Sequence, residues 1–199
     1  MNEVIRTILQ RRSIRAYKKK QLQRGELESL LSCAIYAPTG GNSQGSRFLA
    51  VQNQEALETL NTLIREELLN FPGEKNKIIR QGIRRAQTPD YHFMYHAPTL
   101  IASVAPREDR NSMANCAAGL ENIMLAAASL GIGSCWSNQL RWLTNSCRIR
   151  EFFGAFGLQE DEDFYGAVGV GYPAFLPERA AKRKPGRAAI DGKEIAVCI

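Results

Sequence analysis

The stretch from Ser112 to Leu130 constrains the fold of this chain more than any other segment. Apolar side chains recur there at helical spacing, and alanines fill most of the remaining positions. A helix that is apolar on nearly all sides is buried at the centre of a fold or at a subunit interface. Gly131 and Gly133 follow it, and glycine takes the positive φ that ends many helices. The sequence therefore predicts a buried helix around which the rest of the chain is arranged.

The other segments mix helix and strand patterns without a regular order. Helical spacing covers residues 4–9, 22–37, 57–68 and 149–156. Short apolar runs that predict strands cover residues 48–51, 98–104, 134–136 and 164–170. A parallel doubly wound sheet requires strands and helices to alternate regularly. The pattern therefore predicts one α+β domain over residues 1–199, with a charged lid or excursion at 71–96 and a C-terminal arm at 180–199.

Composition limits the class of protein. The chain has 199 residues, of which 44% are hydrophobic and 23% charged. No apolar run reaches the roughly 18 residues that a membrane helix needs, and the N-terminus lacks the apolar core of a signal peptide. The cysteines are odd in number and have no C-x-x-C spacing: Cys33, Cys116, Cys135, Cys147 and Cys198. These features predict a cytoplasmic protein with reduced thiols and no membrane partner.

The net charge of +6 permits a nucleic-acid partner, but its distribution argues against one. Basic residues cluster at 11–24, 75–85, 141–150 and 179–187, and acidic residues interrupt them. No helix-turn-helix, zinc-finger or RNA-binding aromatic motif is evident. A modest positive field also suits small phosphorylated or anionic ligands. We therefore expect a small anionic partner and no nucleic acid.

The segment Arg11-Arg12-Ser13-Ile14-Arg15 is the strongest candidate for binding such a ligand. It places three guanidiniums within five residues, directly after a helical pattern. Arginine offers a rigid fork of donors that matches phosphate oxygens, and serine adds a compact hydroxyl. The plain alternative is a solvated basic helix end.

Two other patterns resemble ligand sites but lack essential parts. His92 and His96 have the spacing of metal ligands on one helical face, but no H-E-x-x-H motif and no third ligand are evident in the sequence. Gly166, Gly169 and Gly171 do not match the dinucleotide fingerprint, whose glycines open a helix after a strand. The sequence therefore predicts neither a metal site nor a separate Rossmann domain.

Four segments together resemble the FMN-dependent nitroreductase family. They are Arg11–Arg15, similar to its R-R-S-x-R box; Ala37–Gln44, similar to its A-P-S-x-x-N-x-Q loop; Gly119–Ala127 leading into Gly131–Trp136; and Gly169–Pro173 followed by the basic tail 182–185. Their order and spacing make the match more specific than any one of them. The resemblance implies a three-layer sandwich with a central mixed, mostly antiparallel sheet flanked by helices. It also implies an intertwined homodimer with two FMN sites at the interface.

The resemblance further implies which residues contact the FMN. Arg11 and Ser13, within the box that also holds Arg12, would bind the phosphate together with Arg183 and Lys184 from the tail. Lys182 and Arg187 leave the choice of tail cations open. Arg15 would lie at the pyrimidine edge of the flavin. The partner subunit would supply Asn42, Ser43 and Gln44, unless these serve only as turn residues. The backbone at Ser137 and Asn138 would pass close to flavin N5.

The implied activity is an NAD(P)H-dependent oxidoreductase that passes hydride through flavin N5 to a nitroaromatic, quinone or similar small acceptor in a ping-pong cycle. No catalytic residue beyond the flavin is then required. An ene-reductase or reductive dehalogenase on the same fold would need polar groups from the lid, for which Tyr91, His92 and Tyr95 are the candidates. A flavin-sequestering or redox-sensing protein without turnover is the non-enzymatic alternative.

Overall fold

The computed structural model describes residues 1–177, 180 and 183–195, so Lys182 and Cys198 lie outside the described residues. The helices are α1 Glu3–Gln10, α2 Arg24–Ile35, α3 Gln54–Leu69, α4 Lys77–Ala86, α5 Ser112–Ser129, α6 Gln139–Trp142 and α7 Cys147–Gly154, and Gly40–Asn42 forms a short 3-10 helix. The strands are β1 Arg47–Val51, β2 Thr99–Pro106, β3 Gly133–Ser137, β4 Glu162–Gly171, β5 Ala189–Ile190 and β6 Lys193–Glu194.

Local sequence determines where several helices begin. The side chains of Asn2, Asn53 and Asn76 accept hydrogen bonds from backbone N–H groups in the first turns of α1, α3 and α4. Ser146 does the same for α7. Such side chains satisfy donors that a helix leaves unpaired at its N-terminus. These capping residues account for helix starts that hydrophobic spacing alone does not give.

The first four strands form one antiparallel sheet in the order β1-β2-β4-β3. Strands β2 and β4 occupy its centre and are buried at almost every position. When helices cover both faces of a strand, its sequence is a continuous apolar run and does not alternate between apolar and polar residues. This is why residues 98–104 and 164–170 are recognisable in the sequence.

Helices cover both faces of the sheet and complete a three-layer α+β sandwich. On one face α2 and α5 pack Leu30, Leu120 and Ile123 against Ile101 and Val168. On the other face α3 and α7 contribute a second cluster, which includes Leu60, Ile64, Leu100, Phe153 and Phe164. The α+β class and the sandwich predicted from the sequence are confirmed. Within the described part of the chain, no helix has both the length and the apolarity needed to span a bilayer.

Helix α5 is the buried helix that the sequence predicts, but only one of its faces is enclosed within the chain. Leu120, Ile123 and Ala127 are fully buried against the sheet. Ala117 and Leu125 face away from it and are half-buried. The helix ends at Gly131, whose φ is +70° as expected. Gly133 does not end the helix and instead begins β3.

The segment 71–96, which the sequence predicts to be a charged lid or excursion, is partly helical and partly buried in the core. Residues 75–78 are exposed, but residues 77–86 form the regular helix α4, and Tyr91, Phe93 and Met94 lie in the core. Gly82 and Ala86 are the buried residues of α4, so its buried positions carry no large apolar side chain. The periodicity of this helix was therefore hidden among its basic residues.

Candidate functional site

The arginine box lies along the outer edge of the sheet as an extended segment, residues 11–17, which we call the strap. Ile14 N–H donates to the Ser134 carbonyl at 2.9 Å, and Ser13 forms a parallel bridge with Ser134 of β3. Ile14 is buried, and a Cβ on Gly133 would lie 2.8–2.9 Å from its side chain. Glycine at 133 therefore allows the strap to approach β3 closely. This isolated bridge is parallel, whereas the four strands of the sheet all pair antiparallel.

The cations of the strap have different surroundings. Arg11 Nε lies 4.0 Å from the Glu121 carboxylate, and the two side chains are only loosely paired. Arg12 Nη1 instead donates to the carbonyls of Leu9 and Arg11 at 2.7 and 2.8 Å. Arg12 thus satisfies carbonyls at the C-terminal end of α1, and its predicted contact with a phosphate stays a prediction.

A cleft of about 470 Å³ opens beside the strap and the start of β3. It is lined by Thr7, Gln10, Arg11, Arg12, Ile14, Ala128, Gly131, Ile132, Gly133, Ser134, Leu176 and Pro177. Its lining combines the Arg11 cation with the chain that connects α5 to β3. An anionic group at this position has the Arg11 charge beside it.

The end of β3 contains a polar group with no partner. The Ser137 hydroxyl is buried and makes no hydrogen bond within the described residues. Strand alternation places Ser137 on the same face of β3 as Cys135, opposite to Trp136. Trp136 Nε1 donates to Asn138 Oδ1 at 2.7 Å and so fixes the Asn138 side chain. Because buried hydroxyls almost always find a partner, the Ser137 hydroxyl is available to a ligand.

Tyr91 and Tyr95 are brought to the same region from the loop after α4. The Tyr91 hydroxyl donates to Gln139 Oε1 at 2.8 Å, directly after Asn138 in the chain. Tyr95 lies beside the strap, because the Arg15 guanidinium is 5.7 Å from its ring centroid. Tyr95 also accepts a hydrogen bond at 2.8 Å from Arg85 of α4. Arg85 is not recognisable as a site residue from the sequence, because no neighbouring motif distinguishes it from the other arginines of its cluster.

The titratable groups around this site favour their neutral forms. Burial raises the pKa values of Tyr17 and Tyr91 well above that of an ordinary tyrosine. Burial also raises the pKa of the Cys135 thiol, although the charges of Arg15, Arg11 and Arg85 oppose that increase. These three groups are therefore protonated at neutral pH. The site presents cations and neutral donors, without a thiolate at Cys135.

The loop that carries Asn42, Ser43 and Gln44 lies elsewhere in the chain. All three side chains are exposed, and the loop contacts the start of α5 where Gly40 N–H donates to Asn115 Oδ1 at 3.0 Å. This loop precedes β1, whereas the strap lies beyond β3, and the two strands are opposite edges of the sheet. At a strand spacing of about 4.8 Å, these edges are about 14 Å apart. One chain therefore does not bring the two predicted halves of the site together.

The tail residues Arg183 and Lys184 are both exposed. Neither forms an ion pair with any residue that the structure describes. Their predicted contact with a phosphate therefore stays a prediction.

Glu58 of α3 supplies the third potential metal ligand that the sequence did not reveal. Its carboxylate and the ring nitrogens of His92 and His96 offer ligand atoms that all lie within 4.8 Å of one another. However, His92 Nδ1 accepts a hydrogen bond from the Met94 N–H at 3.3 Å, which leaves the ring hydrogen on Nε2. Neither nitrogen of His92 then has a free lone pair. For this reason we do not propose a metal site there.

Known proteins resemble this chain over most of its length. The nitroreductase family model matches residues 8–172. A crystal structure of a Bacteroides fragilis nitroreductase with bound FMN has 36% sequence identity, covers 96% of this chain and 99% of its own, and has a TM-score of 0.84. An FMN-bound nitroreductase from Desulfitobacterium hafniense has 23% identity, covers 96% of this chain and 100% of its own, and shares the fold with a TM-score of 0.81.

A relative from Archaeoglobus fulgidus is named "Putative NADH dehydrogenase/NAD(P)H nitroreductase" and is 28% identical over 177 residues, which cover 87% of each chain. The resemblance seen in the four sequence segments thus extends to the fold over most of the chain. With a family match across residues 8–172, this chain belongs to the nitroreductase family.

Proposed function

We propose that this chain is an FMN-dependent oxidoreductase that takes hydride from NAD(P)H and passes it to a small acceptor such as a nitroaromatic or a quinone. The proposal rests on the FMN bound to the Bacteroides fragilis relative and on the nicotinamide nucleotides named for the Archaeoglobus fulgidus relative. Within this chain, the observation that carries it is the pairing of the arginine-rich strap with β3, which places the loosely paired Arg11 at a cleft on the same strand that ends in the unpaired, buried Ser137 hydroxyl.

The residues present fit an FMN in chemical terms. Its phosphate requires cations and donors, which Arg11, Ser13 and the cleft beside them supply. Its ring system requires hydrogen-bond partners, for which Arg15 at the pyrimidine edge and Ser137 near N5 are the candidates. The tail cations Arg183 and Lys184 would add to the phosphate site. When bound, FMN accepts hydride from the nicotinamide and passes it to the acceptor.

The side chains contribute electrostatics and access rather than acid–base chemistry. Arg15 carries a fixed charge that would stabilise the negative charge gathered by a reduced flavin ring. Tyr17, Tyr91 and Cys135 remain protonated at neutral pH because they are buried. Their protons are donated to the Ile14 carbonyl, to Gln139 Oε1 and to the Trp136 carbonyl, so these groups do not act as bases toward the substrate. Such a site suits a flat acceptor that stacks on an open flavin face.

We further propose that the functional unit is a homodimer. Val4, Ile5 and Ile8 form an apolar stripe on α1 that is 47–65% exposed. A groove of about 380 Å³ adjoins it and is lined in part by Cys33, Leu125 and Ala126. Exposed apolar surface of this kind marks an interaction site. A second copy is the occupant that we propose, because its Asn42–Gln44 loop would complete the site that one chain leaves open.

The cofactor proposal is tested on the purified protein. We expect a yellow protein whose visible absorption bleaches under anaerobic titration with NADH or NADPH. A protein that fails to bind added FMN would contradict the cofactor assignment. A yellow protein that neither nucleotide reduces would favour the sensing or sequestering role over the enzyme.

The dimer is tested by sedimentation velocity. We expect Ile5→Glu to shift the protein to a monomer and to weaken FMN binding, since Ile5 is exposed within one chain and its loss leaves the core intact. Ile78→Glu is the matched control, because Ile78 is an exposed isoleucine on α4, which does not line the groove. A wild-type monomer with tightly bound FMN would contradict the homodimer.

A further inference from the structure

Arg85 is held beside the proposed flavin site by contacts that do not involve the strap. Arg65 Nε donates to the Ala86 carbonyl at 2.9 Å and so ties the end of α4 to α3. The loop that follows is fixed to α3 as well, because the Phe93 N–H donates to Asn61 Oδ1 at 3.0 Å. Tyr95, in that loop, has a positive φ of 57°. The positions of Arg85 and Tyr95 are thus determined by α3 and α4.

Tyr95 is shared by two guanidiniums. Arg85 lies 5.0 Å and Arg15 lies 5.7 Å from the centroid of its ring. Arg85 Nη1 also donates to the Tyr95 hydroxyl at 2.8 Å. Neither arginine forms an ion pair with a carboxylate in the part of the chain that the structure describes. Two guanidinium groups thus lie close to the Tyr95 ring, and neither is paired with a carboxylate of the described residues.

The guanidinium of Arg85 retains most of its binding capacity. The residue is exposed, and a guanidinium has five N–H donors, of which the Tyr95 hydroxyl occupies one. Arg85 also acts electrostatically on Cys135, two residues before Ser137. Because Arg15 of the strap contacts the same Tyr95 ring, Arg85 lies beside both the strap and the 91–96 loop. The planar guanidinium of Arg85 can donate two parallel hydrogen bonds to the two oxygens of a carboxylate.

We propose that Arg85 is a specificity residue that binds the carboxylate of an aromatic acceptor, so that this protein prefers anionic acceptors to neutral ones of the same shape. This inference rests on the proposed flavin function, which assigns Arg15 to the flavin edge and leaves Arg85, across Tyr95, for the acceptor. A carboxylate attached directly to the acceptor ring lies close to the flavin. In NAD(P)H, by contrast, a ribose separates the nicotinamide ring from the nearest phosphate.

The preference is measured with 4-nitrobenzoate and 4-nitrobenzamide, which differ in charge but hardly in shape. We expect the wild type to show a kcat/KM for the acid about ten- to a hundredfold above that for the amide, the factor that one charge-assisted contact supplies. Arg85→Met should bring this ratio close to one, and Arg85→Lys should retain part of it. Arg84→Met is the matched control on the same helix and should keep the wild-type ratio.

A binding measurement complements the kinetics. Benzoate titrated into the oxidised yellow protein should perturb the flavin spectrum at a lower concentration than benzamide, and Arg85→Met should remove that difference. If NADH or NADPH bleaches the wild-type protein but the protein shows no preference for 4-nitrobenzoate over 4-nitrobenzamide, this inference is overturned and the proposed function remains intact. A ratio that Arg85→Met does not change would also overturn it. If Arg85→Met instead raises the KM for NADPH relative to NADH, Arg85 recognises a nucleotide phosphate and the inference is wrong.

Discussion

The three arginines of residues 11–15 have different contacts in the structure, although they form a uniform cluster in the sequence. Arg12 satisfies carbonyls at the end of α1, Arg11 faces the cleft, and Arg15 contacts the ring of Tyr95. A guanidinium binds whichever acceptors the tertiary structure brings within its reach. Residue type therefore identified the segment as a candidate, but not the role of each side chain.

Arg11→Ala and Arg12→Ala should separate binding from stability. Arg11→Ala should weaken FMN binding about ten- to a hundredfold, since it removes a charge-assisted contact to the phosphate. Arg12→Ala should leave FMN affinity near that of the wild type and lower the free energy of unfolding by about 1 kcal/mol, because carbonyls at the end of α1 lose their donor. Fluorescence titration of the apoprotein with FMN and urea denaturation distinguish the two. Equal losses of FMN affinity would show that Arg12 also binds the phosphate.

His92 should make the folded state sensitive to acid. Burial, together with the nearby charge of His96, lowers the pKa of His92 from its ordinary 6.5 to about 4. Between these values the unfolded chain binds the proton and the folded chain does not. The free energy of unfolding therefore falls as the pH decreases from 6.5 to 4, by up to about 3 kcal/mol from this residue.

This dependence is measured from urea midpoints at pH 7 and pH 5. We expect His92→Gln to flatten the difference between the two midpoints. His96→Gln, at an exposed position, should retain most of it. An unchanged pH dependence in His92→Gln would show that another group controls the acid sensitivity.

At the scale of elements, the strap shows how an irregular segment becomes part of a sheet. Residues 11–17 carry no strand pattern, yet Ile14 and Ser13 pair with Ser134 of β3. Gly133 makes room for this pairing, and its function depends on a segment more than a hundred residues earlier in the chain. No local pattern could assign that role to the glycine.

Gly133→Val should displace the strap and weaken FMN binding together with stability. Its side chain would begin 2.8–2.9 Å from Ile14, and overpacking of this kind costs about 1–3 kcal/mol. Urea denaturation and FMN titration measure the two effects. Gly154→Ala is the control, because a Cβ at that position would contact nothing within 4 Å. Restoration of both properties by adding Ile14→Ala would confirm the contact, whereas a stable Gly133→Val variant with normal FMN affinity would refute it.

At the scale of the whole molecule, an ion pair between a partly exposed arginine and a buried carboxylate joins two strands that are not neighbours in the sheet. Arg47 of β1 donates to both oxygens of Glu162 at the start of β4 at 2.8–2.9 Å, and the Glu162 side chain is only 2% exposed. The Gln159 N–H donates to the same carboxylate at 2.9 Å. Removal of Arg47 leaves the buried Glu162 carboxylate without its cation, which is more costly than the loss of an exposed pair.

Arg47→Ala should lower the free energy of unfolding by about 1–2 kcal/mol, measured by urea denaturation at pH 7, because Arg47 is partly exposed and the Gln159 N–H still donates to Glu162. Arg24→Ala is the control, since it removes an exposed pair with Glu28 in α2 and should leave the midpoint unchanged. A small effect of Arg47→Ala would mean that solvent or the Gln159 N–H satisfies Glu162 by itself.

The sequence by itself determined the elements whose signal is local: the buried helix α5, the apolar strands β2 and β4, and the motifs that resemble the nitroreductase family. Only the tertiary structure showed that α4 is a helix, that Arg85 meets Arg15 across Tyr95, and that Glu58 lies beside His92 and His96. It also separated the Asn42–Gln44 loop from the strap by the width of the sheet. The physical reason is that periodicity reports which face of a segment is buried, whereas a binding site depends on contacts between segments far apart in the chain.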